Sequence, residues 1–134
     1  MSPAAAKQQI TFIYCRDLAR STRFYRETLG LPLALDQGDC RIFRVAEGAF
    51  LGVCRCREGR AVAPEGVVVS LVTEDVDGWH ERLAAAGVPI AAAPSYSAQF
   101  RVYSFFARDP AGYLVEFQRF DRPDWAEAKG KPRS

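Results

Sequence analysis

The sequence predicts an α+β fold: two βαβββ modules forming a curled mixed sheet around a cleft, with helices on the outer face. Three observations carry that expectation. An apolar β-favouring run, an acidic cap, a helical stripe and a glycine stop occur in that order twice. Short apolar stretches broken by Gly and Asp turns follow the first of these blocks. Pieces of the two halves can also be laid on one another letter by letter, at a period too long for a solenoid repeat.

Taken in order, Ile10 to Cys15 is the first strand, halted at Arg16-Asp17, and Leu18, Phe24, Tyr25 and Leu29 then recur at helical spacing up to Gly30. Asp17 is suited to accept hydrogen bonds from the free N–H groups of the first helical turn, and Gly30 to the left-handed turn that ends the helix. After Pro32, the stretches Leu33 to Leu35, Cys40 to Val45 and Phe50 to Cys54 read as three antiparallel strands, separated by Gln37-Gly38-Asp39 and Glu47-Gly48. The second half repeats the order with Val67 to Val72, the cap Asp75, the stripe Trp79 and Leu83, and the stop Gly87 before Val88-Pro89. Arg16-Asp17-Leu18 matches Glu74-Asp75-Val76, Leu29 to Pro32 matches Ala86 to Pro89, and Gly48 to Arg55 matches Gly112 to Arg119. The chain is thus expected to be one domain over 1–134: a first module at about 9–57, a linker at about 58–66, a second module at about 67–120 and a flexible tail at 121–134.

Composition narrows the function. With 134 residues and 49% hydrophobic content the chain can bury one sizeable core. Its 18 Lys and Arg against 16 Asp and Glu leave no clustered positive charge of the kind that tracks phosphates, so no nucleic-acid partner is expected. Lys129, Lys131 and Arg133 read as a solvated basic tail. No apolar run reaches the roughly 20 residues that span a bilayer and no secretory signal is visible, so no membrane partner and a cytoplasmic location are expected. Cys15, Cys40, Cys54 and Cys56 lie in strand-like segments without framework spacing and read as reduced thiols.

Two motifs place the chain beside a known family. Arg16-Asp17-Leu18-Ala19-Arg20-Ser21-Thr22-Arg23-Phe24-Tyr25 with Leu29-Gly30-Leu31, and later Arg108-Asp109-Pro110-Ala111-Gly112-Tyr113-Leu114-Val115-Glu116-Phe117, resemble the vicinal oxygen chelate superfamily. That superfamily includes glyoxalase I, bleomycin-resistance proteins and extradiol dioxygenases, and the resemblance runs from Ile10 to Phe120. In its metal-dependent members, ligands project from the first and fourth strands of each half onto a divalent ion, which binds two neighbouring substrate oxygens. The resemblance assigns those positions to Ile10, Gly52, Val68 and Glu116, of which only Glu116 carries a donor. No metal site and no cofactor are therefore expected.

Strand alternation selects an inner face: Ile10, Phe12 and Tyr14, then Val68, Ser70 and Val72, then Leu114, Glu116 and Gln118. Such a face is apolar and aromatic with a few polar groups, the usual make-up of a small-molecule pocket, although the same residues would also suit a closed core. Glu116, flanked by Val115 and Phe117, must be solvated, paired with Arg or Tyr, or carry a raised pKa. Arg101, in the run Tyr96 to Arg101 that reads as a loop near the cleft mouth, is a candidate partner for Glu116 or for an anionic ligand. Tyr103 joins the candidate ligand-binding set with Ile10, Phe12, Tyr14, Gly52, Val68, Ser70, Arg101, Leu114, Glu116 and Gln118. His80, the only histidine, falls on the second helix and is read as a surface residue.

Two functions from different classes fit. One is a metal-independent protein, similar to the bleomycin-resistance branch, that holds an aromatic or amphipathic small molecule in the cleft. The other is a metal-independent lyase, isomerase or similar enzyme with Glu116 as general acid or base, assisted by Tyr14 or Tyr103. A metal-dependent lyase or dioxygenase is a further alternative. A homodimer is expected, since open sheet edges and apolar faces call for cover.

Overall fold

The computed structural model describes residues 2–125; Lys129, Lys131 and Arg133 lie outside the described residues. The chain divides into two compact units, one reaching to Gly66 and including Pro110–Gly112, the other comprising Val67–Asp109 and the chain from Tyr113 onward.

In the first unit β1 (Gln9–Cys15) leads into α1 (Leu18–Arg23), then a π-helical segment (Phe24–Thr28), β2 (Leu33–Asp36), β3 (Cys40–Ala46) and β4 (Ala49–Arg55). Asp17 caps the helix as its sequence position implies, its carboxylate accepting from the Arg20 N–H at 3.1 Å, and Gly30 ends the segment at φ 72°. The helical stripe does not run through as one α-helix. The Leu29 N–H reaches back five residues to the Phe24 carbonyl at 2.9 Å, and in this wider turn both Phe24 and Tyr25 are buried, their rings edge-on at 4.9 Å. The sheet order is β1-β4-β3-β2, with β1 and β4 parallel and the remaining pairs antiparallel. Ile13 and Cys15 on β1, Phe43 on β3, and Leu51 and Val53 on β4 form the buried face with Leu18, Tyr25 and Leu29. Burying each of these large apolar side chains contributes about 1.5–3 kcal/mol.

The second unit repeats the plan: β5 (Val68–Val72), α2 (Val76–Ala85), β6 (Ile90–Ser97), β7 (Val102–Arg108) and β8 (Leu114–Phe120), in the order β5-β8-β7-β6 with β5 and β8 parallel. Asp75 caps α2 through the Gly78 N–H at 3.0 Å. Val76 and Leu83 of α2 are buried with Val115, Phe117 and Phe105, and Trp79 stacks on Phe117 at 4.8 Å. The Arg108 to Tyr113 motif is the turn between β7 and β8. Asp109 is buried there, accepting from the Tyr113 N–H at 2.9 Å, while Gly112 takes φ 97°. Tyr96 and Ser97, read as loop, are strand residues paired with Tyr103 and Val102, so the turn is confined to residues 98–101.

The cysteines correct the sequence reading. Cys40 and Cys54 face each other across β3 and β4 with Cα atoms 4.0 Å apart, and a disulfide joins them. Spacing alone concealed this pair, because the register of a long hairpin, not a cysteine framework, brings the two together. Cys15 is buried with its thiol on the Cys54 carbonyl at 3.5 Å, and Cys56 is half-buried. Since the bond closes a short loop of sequence separation 14, Cys54→Ser is expected to lower stability by up to about 3 kcal/mol under oxidising conditions. Thermal melts with and without dithiothreitol check this: the reductant should bring the parent protein down to the level of the variant.

Candidate functional site

Period-two alternation sends Ile13 and Cys15 of β1 beneath the helix, and so leaves Ile10, Phe12 and Tyr14 on the other face of the first sheet. Across the parallel ladder these three lie beside Phe50, Gly52 and Cys54. The Phe12 ring covers Gly52 so closely that any Cβ there would overlap it. Gly52 is thus where an aromatic side chain occupies the space that a Cβ would take, and the duplicated position in β8 is Glu116. A pocket of about 310 Å³ opens beside Phe12 and Tyr14, walled by Gln37 and the Cys40–Cys54 pair.

On the equivalent face of the second sheet stand Val68, Ser70 and Val72, with Leu114, Glu116 and Gln118 alongside. Ser70 lies directly opposite Glu116, and its hydroxyl donates to the Glu116 carboxylate at 2.9 Å. The Gln118 amide donates to the same carboxylate oxygen at 3.2 Å and also to the Ser70 hydroxyl. Glu116 is half-exposed, so its charge is met by solvent and two neutral donors. Three polar side chains in a closed hydrogen-bonded set, bordered by Val68, Val72 and Leu114, can accept from or donate to a polar group on a ligand.

Two candidates lie elsewhere. Arg101 occupies the turn between β6 and β7 at φ 56°, beyond the Val102–Phe120 pair, whereas Glu116 stands opposite Phe106 four residues further along β7. Its positive charge helps to hold the Asp121 and Asp124 carboxyls below their ordinary range. Tyr103 shares parity with the buried Phe105, so it lies on the helix side of its sheet. There its hydroxyl donates to Asp77 of α2 at 2.5 Å, with the Arg119 guanidinium 4.9 Å from its ring centre. Strand alternation applied to β7 finds this placement once the register is known. His80 is half-buried on α2 with its ring edge-on to Phe105 at 5.2 Å. Sequence reading did not single out Gln37, Cys40, Cys54, Arg57 or Arg60, which all border the first-unit pocket. Strand parity from Phe50 would have found Cys54, but Arg60 sits in a segment that reads as linker and Arg57 at its edge.

The four positions that the fold implies for a divalent ion do not fit one. Ile10, Gly52 and Val68 offer no donor atom, and the Glu116 carboxylate is engaged by Ser70 and Gln118. Among the described residues no group of three or more His, Cys, Asp or Glu side chains converges to take their place.

A family model described as Glyoxalase/Bleomycin resistance protein/Dioxygenase superfamily matches residues 7–117. Among solved structures, the chain is similar to a lactoylglutathione lyase from Agrobacterium tumefaciens, with 26% identity and a TM-score of 0.71 over 87% of this chain and 95% of that one. It is also similar in fold to TioX from Micromonospora sp. ML1 (23% identity, TM-score 0.70, covering 84% and 98% of the two chains). A glyoxalase-related enzyme from Fulvimarina pelagi is a further fold relative (21% identity, TM-score 0.70, covering 82% and 85%). No curated protein sequence matches the chain significantly.

The Tyr103–Asp77 contact gives a titration that can be followed. Donating to the carboxylate holds the neutral phenol in place, and the Asp77 charge opposes ionisation, so the Tyr103 pKa lies above its ordinary value of 10. A raised folded-state pKa stabilises the fold fully below pH 10, and that contribution is lost as pH rises through the folded value. In an ultraviolet titration of the tyrosines, Asp77→Asn is expected to bring one late-ionising phenol back toward 10.

Proposed function

Because the chain belongs to the glyoxalase/bleomycin resistance protein/dioxygenase superfamily, we propose that it binds an aromatic or amphipathic small molecule on the uncovered faces of its sheets, without the divalent-ion site of metal-dependent relatives. One observation carries this reading: Ile10, Phe12, Val68 and Val72 are 39%, 43%, 48% and 57% exposed, although each is a large apolar side chain within a regular strand. Apolar side chains left in water along one strand face support a binding role for that face. Covering Phe12 alone would contribute about 2 kcal/mol to a complex. Tyr14, Ser70, Glu116 and Gln118 supply the few polar groups that orient a ligand. In the same reading the protein is cytoplasmic, where reducing conditions would keep Cys40 and Cys54 as thiols, and it pairs as a homodimer, which light scattering would report as twice the chain mass; no helix among the described residues is long and apolar enough to cross a membrane.

A second reading, catalysis by Glu116 as general acid or base, is favoured by the Ser70 hydroxyl donating to that carboxylate, an arrangement that can pass a proton to or from a bound molecule. The similarity to a lactoylglutathione lyase adds to it. Glu116→Gln separates the two. In a binding protein the variant is expected to keep its affinity for purely apolar aromatic compounds and to lose roughly tenfold for ones that donate hydrogen bonds or carry positive charge. In an enzyme the same change abolishes turnover with little change in substrate affinity. Calorimetric titration against a panel of aromatic compounds, followed by product analysis, reads both. If the parent protein binds none of them up to millimolar concentration, the binding reading fails.

A further inference from the structure

The pocket of about 310 Å³ beside Phe12 is closed on one side by a tight turn that carries two arginines. Arg57 and Arg60 exchange both backbone hydrogen bonds at 2.9 Å, each N–H donating to the other's carbonyl, around Glu58 and Gly59, with Gly59 at φ 78°. Only glycine adopts that φ without strain, so the turn is locally determined. Residues directly opposite in an antiparallel bridge send their side chains to the same side, so two exposed arginines leave the turn on one side, the Arg60 guanidinium donating to the Gly59 carbonyl at 2.8 Å. Water screens two such exposed charges, and their N–H donors are left open to an anion. Among the described residues the ion pairs involve Arg41, Arg55, Arg119 and Arg122, and no carboxylate is placed against Arg57 or Arg60.

Both arginines border the same pocket as the Phe12 ring and the Tyr14 side chain. We propose that this pocket is an anion site, taking a small aromatic carboxylate or sulfonate whose ring lies against Phe12 and whose charged group is held by Arg57 and Arg60. The volume matches the lower end of small-ligand pockets. Guanidinium groups bind planar oxyanions through paired N–H donors, and two opposed ones supply donors from both sides. This inference rests on the reading of the first sheet's uncovered face as a ligand face, and adds the ligand's charge and the residues that select it.

The test uses the full chain with 1-naphthoate and its uncharged analogue naphthalen-1-ylmethanol, titrated by calorimetry into the parent protein and into the double variant Arg57→Gln/Arg60→Gln. Naphthoate is expected to bind the parent at least about tenfold more tightly than the alcohol, with the preference lost in the double variant and the alcohol unaffected. Phe12→Ala should weaken both. The melting temperature of the double variant should stay level, because both side chains are exposed and neither makes an ion pair among the described residues; a clear fall would mean that the arginines serve the fold, and would overturn the proposal. If both compounds bind the parent equally and the double variant binds them as the parent does, the anion site is refuted while the ligand face stands. If neither binds the parent, both fall together.

Discussion

In each unit the first strand is zipped in parallel to the last, β1 to β4 and β5 to β8, and the other features of that unit depend on this pairing. A parallel pair cannot be joined by a tight turn; it needs a long crossover, which here carries the helix and then two further strands. The helix packs on one face of the sheet and buries Ile13, Val53 and Leu18 in the first unit, and Val115, Phe117 and Leu83 in the second. Because side chains alternate strictly, fixing that face also fixes the other. Ile10, Phe12 and Tyr14 could not be turned under the helix without shifting the whole strand by one residue and exposing Ile13 and Cys15. The candidate ligand face is therefore a by-product of core formation.

That dependence explains how much was legible in the sequence. Caps, glycine stops and strand runs are local, and Asp17, Asp75, Gly30 and Gly87 all act as their positions imply. Alternation extends this one step further, so the parity of β1, β5 and β8 was readable from Ile10, Val68 and Leu114. Partnerships across the sheet were not, because they require register. Tyr103 seemed a ligand-face residue only while β7 had no fixed parity; its neighbour two positions on, Phe105, is fully buried under α2 and carries Tyr103 to the helix side. Arg101 belongs to the same hairpin, and the ladder carries it past Val102 and away from Glu116. The Cys40–Cys54 bond and the Arg57–Arg60 bridge are likewise products of pairing, invisible in composition or spacing.

The duplicated registers also show where the two units have diverged. Phe12 opposite Gly52 in the first unit corresponds to Ser70 opposite Glu116 in the second; Cys40 opposite Cys54 corresponds to Ser104 opposite Gln118. In one unit the central pair is a ring beside a glycine, next to a covalent link. In the other it is a hydroxyl donating to a carboxylate, next to an amide that donates to both. Glycine at 52 is what leaves room for the Phe12 ring beside it, and a carboxylate at that position would have to displace it. Conversely, Ser70 is small enough to leave Glu116 half-exposed and within its hydrogen-bonding reach, where a phenylalanine would supply no donor.

Each cross-strand pair thus constrains both of its members, and a single substitution at either one changes the chemistry of the whole face. The first unit presents aromatic surface with guanidinium groups at its margin, and the second presents short aliphatic side chains around an anionic, hydrogen-bonded centre. Two copies of one backbone have in this way become two surfaces of opposite electrostatic character without any change in topology. Under the proposed function, the first face would favour a ligand that stacks and carries negative charge, and the second one that donates hydrogen bonds. The two faces thus differ at two pairs of opposed residues and one turn, while the strands that hold them are fixed by the core on the opposite side.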